Sequence, residues 1–289
     1  MVTIARQIIT LSKPRIIGLL VFTAVCGVYK AAEGAPDGVI LAVVIGSGAL
    51  AAAGSNAINQ GLDADIDAVM VRTRGRPVPA NQMRASVAIV VGAVLVLAAS
   101  LLMWVGANLV AALLTLAAAG IYVFVYTVAL KRRSWNNIVI GGAAGAFPPL
   151  IGAAAVSGTI EVVGVYMFAF IFFWTPPHFW TLSILLKDDY AAANVPMLAA
   201  VASQRATAVQ ITLYIVLLIA MAWIPLVAGY GGWTFAVAAS LLGAHWLWKS
   251  RLLFGDATHG QTLSAYKYSL LCLAGVFLVL AAESKLPWE

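Results

Sequence analysis

The chain has 289 residues, of which 63% are hydrophobic and only 10% are charged, and its mean hydropathy is +0.97. Water-soluble domains carry about 25% charged residues, so this composition excludes an ordinary soluble fold and predicts a membrane-embedded chain. The formal net charge of +6 is typical of a protein with cationic cytoplasmic loops and does not require nucleic acid as a partner. We therefore expect one polytopic membrane domain over residues 1–289.

Nine apolar segments each approach the ~20 residues that an α-helix needs to cross a bilayer. They are residues 16–33, 38–60, 85–105, 108–130, 136–156, 162–186, 207–228, 233–249 and 265–282. The pattern predicts an all-α membrane protein with nine transmembrane helices.

The basic residues are distributed unequally between the two sides of such a protein. With the N-terminus inside, fifteen of the seventeen Lys and Arg residues fall in inner segments, and only Lys30 and Lys285 fall in outer ones. Positive residues favour the cytoplasmic side, so we expect a cytoplasmic N-terminus and a periplasmic C-terminus. The N-terminal residues show no cleavable signal or transit pattern, which favours the bacterial inner membrane as the location.

The segment after the second span, residues 56–79, concentrates the acidic side chains. Asn59, Asp63 and Asp67 recur every four residues, which places them along one helix face, with Asp65 nearly opposite. Two carboxylates and an amide at this spacing suit Mg²⁺, which prefers oxygen ligands and shares them with substrate phosphates. A solvated loop with balanced charges is the alternative, but the very apolar surroundings favour the metal site.

Two cationic groups follow. Arg72 and Arg76 come directly after the acidic residues, where a planar guanidinium can bind phosphate oxygens in bidentate fashion. The run from Lys131 to Arg133, with Arg132 between them, follows the fourth span. It is either a positive-inside anchor or, if it converges with the acidic stretch, part of the same phosphate site.

The fifth span combines small residues with prolines. Gly141, Gly142 and Gly145 predict close approach of neighbouring helices. Pro148 and Pro149 predict a break or kink within the membrane, which would free backbone carbonyls for a cavity. Simple helix packing is the alternative interpretation.

The sixth span ends in a second chemical cluster. A histidine inside a membrane is costly, so His178 is a candidate functional residue, with an interhelical hydrogen bond as the alternative. Asp188, Asp189 and Tyr190 follow the span. A carboxylate here could hold a second Mg²⁺ or complete the shell of the first, or simply be a solvated helix end.

Four strings in this sequence together resemble a known family. They are KPR at 13–15, DADIDAVMVRTRGRP at 63–77, YTVALKRRSWNNIVIGGAAGAFPPLIG at 126–152 and WTPPHFWTLSILLKDDYAAANVPML at 174–198. With Asn59 four residues before the second string, the pattern resembles the intramembrane aromatic prenyltransferase superfamily and, within it, the protohaem IX farnesyltransferase family. The second acidic motif departs from many members of the superfamily, since Asp188 and Asp189 have no acid at four residues' distance, and the number of Mg²⁺ ions stays open.

The resemblance implies transfer of a farnesyl group from farnesyl diphosphate to the 2-vinyl group of haem B, with hydration, to give haem O. It implies a central cavity that opens to the cytoplasmic side, apolar in part and lined by groups such as Phe172, Phe173 and Trp174. Catalysis would involve Asp63, Asp67, His178 and Asp189, with Mg²⁺ on Asn59, Asp63, Asp67 and Asp189. Substrate would be bound by Asn59, Arg72, Arg76, Lys131, Arg132 and Tyr190.

Within that resemblance, His178 has two possible roles, as a ligand that orients haem through its iron or as a base near the reacting carbon. The implied partners are both substrates, the lipid bilayer, and a haem A synthase or terminal-oxidase assembly. Two other functions stay open. One is prenylation of a quinone-precursor ring, and the other is secondary transport, against which the charges at a single membrane face and the lack of an internal repeat both argue.

Overall fold

The computed structural model describes residue 11, residues 14–32 and residues 34–283. Lys13 and both chain termini, whose sides of the membrane the sequence predicts, lie outside these residues. The regular secondary structure of these residues consists of helices, without strands. The prediction of an all-α protein is therefore confirmed for this part of the chain. The helices are α1 Pro14–Ala31, α2 Gly38–Leu62, α3 Ala64–Val69, α4 Ala85–Gly106, α5 Leu109–Gly120, a π-helix Ile121–Leu130, α6 Asn137–Gly141, α7 Ala143–Ser157, α8 Val162–Leu185, α9 Lys187–Ala192, α10 Leu198–Val201, α11 Gln204–Met221, α12 Ile224–Val227, α13 Trp233–Ser250, a short 3₁₀ helix Arg251–Phe254 and α14 His259–Glu283.

Seven helical segments in the described ranges are long and apolar enough to cross a membrane. They are Gly38–Leu62, Ala85–Gly106, Leu109–Leu130, Asn137–Ser157, Val162–Leu185, Gln204–Val227 and His259–Glu283. The helices at the first and eighth predicted positions, α1 and α13, are also present. Neither helix belongs to the group of seven. The apolar part of α1, Ile16–Ala31, is shorter than any of the seven segments.

Pro148 and Pro149 do not break the fifth span, and a kink at these prolines stays a prediction. α7 continues through Pro148 and Pro149, and the interruption lies at Gly142, between α6 and α7. Prolines are tolerated within membrane helices when neighbouring helices pack around them, and α7 is largely buried against α1, α5 and α8. Close helix contact is confirmed at Gly141, where an added Cβ would lie 2.4 Å from the Tyr126 ring.

Gly142 is a second confirmed close contact, because a Cβ there would lie 2.8 Å from the Thr175 side chain. The same prediction is wrong at Gly145, where an added Cβ would meet nothing within 4 Å.

α2 and α4 approach each other through two glycines. A Cβ on Gly54 would lie 2.6 Å from the carbonyl oxygen of Gly92, and a Cβ on Gly92 would lie 2.5 Å from that of Gly54. Only glycine permits this approach, which brings the two backbones into direct contact. The contact lies just before the C-terminal end of α2, and it therefore fixes the part of the helix that carries Asn59.

α8 packs against α7, α11 and α14 and carries much of the aromatic core. Trp174 is buried in that core, whereas Phe172 and Phe173 are partly buried, with ring centroids 5.2 Å apart. The C-terminal end of α8 leads into α9, so one helix connects the aromatic interior with the second acidic motif.

Candidate functional site

The predicted acidic residues meet at the junction between α2 and α3. α2 ends at Leu62, so Asp63 lies between two helices and not within one. The four-residue step is kept because the Asp63 N–H donates to the Asn59 carbonyl (2.9 Å) and the Asp67 N–H donates to the Asp63 carbonyl (2.8 Å). The three residues are 3%, 0% and 2% exposed, whereas the Asp65 side chain is 66% exposed. Buried carboxylates are stable only with partners, so the contacts of Asp63 and Asp67 define the site.

Asp63 is paired with the cationic run that follows the π-helix. Lys131 Nζ and Asn59 Nδ2 both donate to Asp63 Oδ2, the latter at 2.7 Å, and Arg132 Nη2 lies 3.5 Å from Asp63 Oδ1. Lys131 is buried and Arg132 is exposed. The acidic stretch and the cationic run therefore converge. This convergence is what the sequence analysis required for the two to form one phosphate site.

Arg132 also makes a bidentate ion pair with Asp65, at 2.6 and 2.7 Å. This hydrogen-bonded guanidinium holds the pKa of the Asp65 carboxyl below its usual value. Asp65 thus holds Arg132 at the rim of the site, on the solvent side of Asp63.

The π-helix positions Lys131 and, through Thr127, the side-chain amide of Asn59. Its wide turn continues to Lys131, whose N–H donates to the carbonyl of Tyr126, five residues earlier (2.8 Å). Thr127 Oγ1 donates to the Tyr122 carbonyl (2.9 Å) and accepts from Asn59 Nδ2 (3.1 Å). Because Nδ2 makes both of its bonds here, the carbonyl oxygen of Asn59 is the atom left for a cation. Sequence reasoning missed both the π-helix and Thr127.

Asp67 is paired with the loop that follows α3. Arg76 Nη1 donates to Asp67 Oδ2 at 2.5 Å, and Thr73 Oγ1 donates to the Asp67 backbone carbonyl at 3.0 Å. These bonds fold the loop back over the acidic residues. Arg72 and Arg74 are exposed.

The second acidic motif holds the same loop from the other side. Asp189 Oδ1 accepts from the Val71 N–H (3.1 Å), and Asp189 Oδ2 accepts from the Arg72 N–H (3.3 Å). Asp188 is exposed, and Tyr190 is buried. Burial raises the pKa of the Tyr190 hydroxyl, and the neighbouring Arg72 charge lowers it in part. Asp189 therefore anchors the loop that carries Arg72, Arg74 and Arg76, which we call the arginine loop.

His178 lies in a different cluster, formed between α8 and α14. Its ring stacks on Trp174 at 4.2 Å and on Tyr266 at 4.9 Å, and its Nδ1 lies 2.6 Å from Ser269 Oγ. None of the hydrogen bonds and ring contacts that His178 makes with described residues is to Asp63 or Asp67. Tyr266 and Ser269 carry no motif in the sequence, and only the fold brings them to His178.

The donor set fits a hard cation that is shared with a phosphate. Among residues 11, 14–32 and 34–283, no three His, Cys, Asp or Glu side chains form a group that could hold a metal ion alone. Two buried carboxylates, one amide oxygen and adjoining Lys and Arg side chains instead match Mg²⁺ with a bound phosphate ester. Two surface cavities, of about 380 and 320 Å³, are lined by residues other than these.

The chain is similar in sequence and in fold to known proteins. The model of the UbiA prenyltransferase family matches residues 20–281. "Protoheme IX farnesyltransferase" of Thermus thermophilus is 47% identical over 279 residues, 96% of this chain, although the chain spans only 46% of that relative's length. The protein of the same name from Granulibacter bethesdensis is 44% identical over 284 residues, which cover 95% of this chain and 89% of the relative.

Two solved structures share the fold. A digeranylgeranylglyceryl phosphate synthase has a TM-score of 0.76 and 16% identity, and the match covers 97% of this chain and 98% of that one. A UbiA homologue from Archaeoglobus fulgidus bound to DMAPP and Mg²⁺ has a TM-score of 0.70 and 15% identity, with 95% and 99% covered. The family match extends over most of the chain, and the chain therefore belongs to the UbiA prenyltransferase family.

Proposed function

We propose that this chain transfers the farnesyl group of farnesyl diphosphate to the 2-vinyl group of haem B and that hydration of the product gives haem O. One observation carries the proposal: Asp63 and Asp67 are buried side by side, and each is ion-paired with a cation that could bind phosphate, Lys131 or Arg76. The names of the curated relatives support haem as the acceptor, including one relative that the chain covers almost completely.

All nine predicted helices cross the bacterial inner membrane in this proposal, with the N-terminus in the cytoplasm and the C-terminus in the periplasm. The contacts of the acidic cluster support this orientation. The segments that meet there, residues 62–76, 131–133 and 187–190, are all ones that the distribution of Lys and Arg assigns to the cytoplasmic side. The central cavity would open on this side, with Phe172, Phe173 and Trp174 along its apolar part.

Asp63, Asp67 and the carbonyl oxygen of Asn59 would hold Mg²⁺ in this proposal. Bound there, Mg²⁺ would supply positive charge that stabilises the departing diphosphate. Metal binding by Asp189 stays a prediction, and its bonds to the loop give it a separate role in placing Arg72 and Arg76.

The cations of the site exchange partners when substrate binds. Lys131 and Arg76 each form an ion pair with a buried carboxylate. Diphosphate oxygens would draw these cations from the carboxylates, which are then free for the metal. Arg72, Arg132 and Tyr190 would bind the outer oxygens.

The reaction requires stabilisation of charge more than proton transfer. Cleavage of the allylic C–O bond leaves the electron pair on diphosphate and a cation on the farnesyl group. The vinyl electrons of haem B then form the new C–C bond, water adds to the resulting cation, and one proton is lost. Lys131 and Arg76 would stabilise the leaving group, and aromatic side chains would exclude water until the C–C bond has formed.

Product identification tests the proposal. Purified protein in detergent or nanodiscs is incubated with haem B, farnesyl diphosphate and Mg²⁺, and the pigments are analysed by mass spectrometry. We expect haem with the added mass of one farnesyl group and one hydroxyl group, and none after chelation of the metal. Unmodified haem together with a prenylated hydroxybenzoate would establish the quinone-precursor reaction instead. Substrate flux into proteoliposomes without diphosphate release would establish transport.

A further inference from the structure

Ser269 on α14 makes a short hydrogen bond to the imidazole of His178 on α8. The Ser269 hydroxyl oxygen lies 2.6 Å from His178 Nδ1 and, on its other side, 2.6 Å from the Tyr266 carbonyl oxygen. Ser269 is fully buried, so no solvent competes for either contact. Two such short contacts require a proton in each.

The positions of those protons follow from the partners. The Tyr266 carbonyl oxygen can only accept, so the single hydroxyl proton of Ser269 is donated to it. The Ser269 oxygen must then accept from His178, and the imidazole proton therefore lies on Nδ1. The other ring nitrogen, Nε2, is left with a free lone pair.

The orientation of the ring is fixed as well. The imidazole stacks on Trp174 at an interplanar angle of 17° and on Tyr266 at 26°. A flip about the Cβ–Cγ bond would turn the imidazole through the space of these rings. The Trp174 indole N–H donates to the Ser269 backbone carbonyl (3.0 Å), which ties the stacking partner to the same residue.

The Nε2 edge of His178 has no hydrogen-bond partner among the described residues. The one hydrogen bond of the ring to a described residue is at Nδ1, which leaves Nε2 without one. Nε2 is also not fully enclosed by the described residues. A neutral imidazole with an accessible lone pair is a ligand for iron, and its other N–H is usually oriented by a hydrogen-bonding partner.

We propose that Ser269 is a positioning residue that holds His178 in the Nδ1–H form, so that Nε2 binds the iron of a porphyrin acceptor. The identity of the ligand rests on the function proposed above, but the tautomer does not. The Ser269→Ala variant tests it directly, because the Trp174 bond uses the backbone carbonyl of Ser269 and survives the substitution. Ser264→Ala is the matched control, since Ser264 is an exposed residue of the same helix and bonds to Lys249.

The first measurement is the ¹⁵N NMR spectrum of histidine-labelled protein without haem. The chain has only three histidines, so His178→Gln assigns the signal. We expect protonated Nδ1 in the unmodified protein and in Ser264→Ala, and a shift towards protonated Nε2 in Ser269→Ala. Protonated Nε2 in the unmodified protein would overturn the proposal, whichever substrate the protein uses.

The second measurement is haem B titration followed by absorbance. We expect Ser269→Ala to weaken haem binding by about tenfold or more and to lose the histidine-ligated spectrum, while KM for farnesyl diphosphate is unchanged. Ser269→Thr keeps the hydroxyl and should restore both. Unchanged haem affinity in Ser269→Ala would refute the role of Ser269. Absence of haem binding in the unmodified protein, with Nδ1 still protonated, would refute the proposed function and leave the hydrogen bond intact.

Discussion

Lys131 donates a hydrogen bond to Asp63 across 68 positions of sequence, and both side chains are buried. The bond joins the first acidic motif to the cationic turn after the π-helix. In an apolar protein neither charge would be stable in this place without the other. The pair thus prepares a phosphate site in which the positive charge is already desolvated.

Replacing Lys131 by Met should destabilise the ligand-free protein. The Asp63 carboxylate would stay buried with Asn59 and the distant Arg132 as its remaining partners, and loss of one member of a buried ion pair costs about 3–5 kcal/mol. The free energy of unfolding in detergent measures this loss. Arg133→Met is the control, since Arg133 is exposed and its loss should leave stability unchanged. Equal stability of the two variants would contradict the importance of the pair.

Asp63→Asn should reduce kcat/KM for farnesyl transfer by roughly 100-fold or more, because the site loses a carboxylate that would hold Mg²⁺, the cation that stabilises the leaving group. Asp65→Asn should change it by less than about fivefold, since the exposed Asp65–Arg132 pair contributes at most about 1 kcal/mol. Formation of farnesylated haem at several Mg²⁺ concentrations gives both values. Similar losses in the two variants would show that burial of the carboxylate is irrelevant to its role.

Arg76→Gln should raise KM for farnesyl diphosphate by about 10- to 100-fold, which corresponds to the loss of a hydrogen bond to a charged group. Circular dichroism should show an intact helical fold. Arg84→Gln is the control, because Arg84 is exposed and lies just beyond the loop. If KM rises equally in both variants, general positive charge, and not the position of Arg76, binds the substrate.

Asp189→Asn should loosen the arginine loop. An amide has one acceptor oxygen in place of two, so the N–H of either Val71 or Arg72 loses its partner. We expect faster hydrogen exchange at residues 71–72 and about tenfold weaker binding of farnesyl diphosphate. Asp188→Asn should leave both unchanged, since Asp188 is exposed. Normal exchange at these amides with weakened Mg²⁺ dependence would favour direct metal binding by Asp189.

Local spacing in the sequence was sufficient to place the first half of the site. The four-residue step from Asn59 to Asp67 persists although two helices meet at Asp63, because the backbone hydrogen bonds continue across the junction. Composition likewise located the helices to within a few residues, with α14 as the main exception, since it begins at His259 and not at 265. These features depend on neighbouring residues only.

Partners that depend on packing were not predictable. Thr127 and Ser269 are ordinary polar residues in apolar helices, and their importance arises from Asn59 and His178, which reach them only in the folded chain. The absence of a break at Pro148 and Pro149 was not predictable for the same reason. A proline interrupts an isolated helix, but the neighbours of α7 determine whether the helix continues.

The π-helix before Lys131 limits which sequence changes this protein can tolerate during evolution. Each residue of a helix turns the chain by roughly 100°, so removal of one residue between 121 and 130 would rotate Lys131 about the helix axis and aim it away from Asp63. Deletion of a residue in this range other than Tyr122, Tyr126 or Thr127 would spare every side chain named in the site and still disable it. The direction of the cation is thus encoded by the number of residues in one helix, and length variation there should be far less tolerated than substitution.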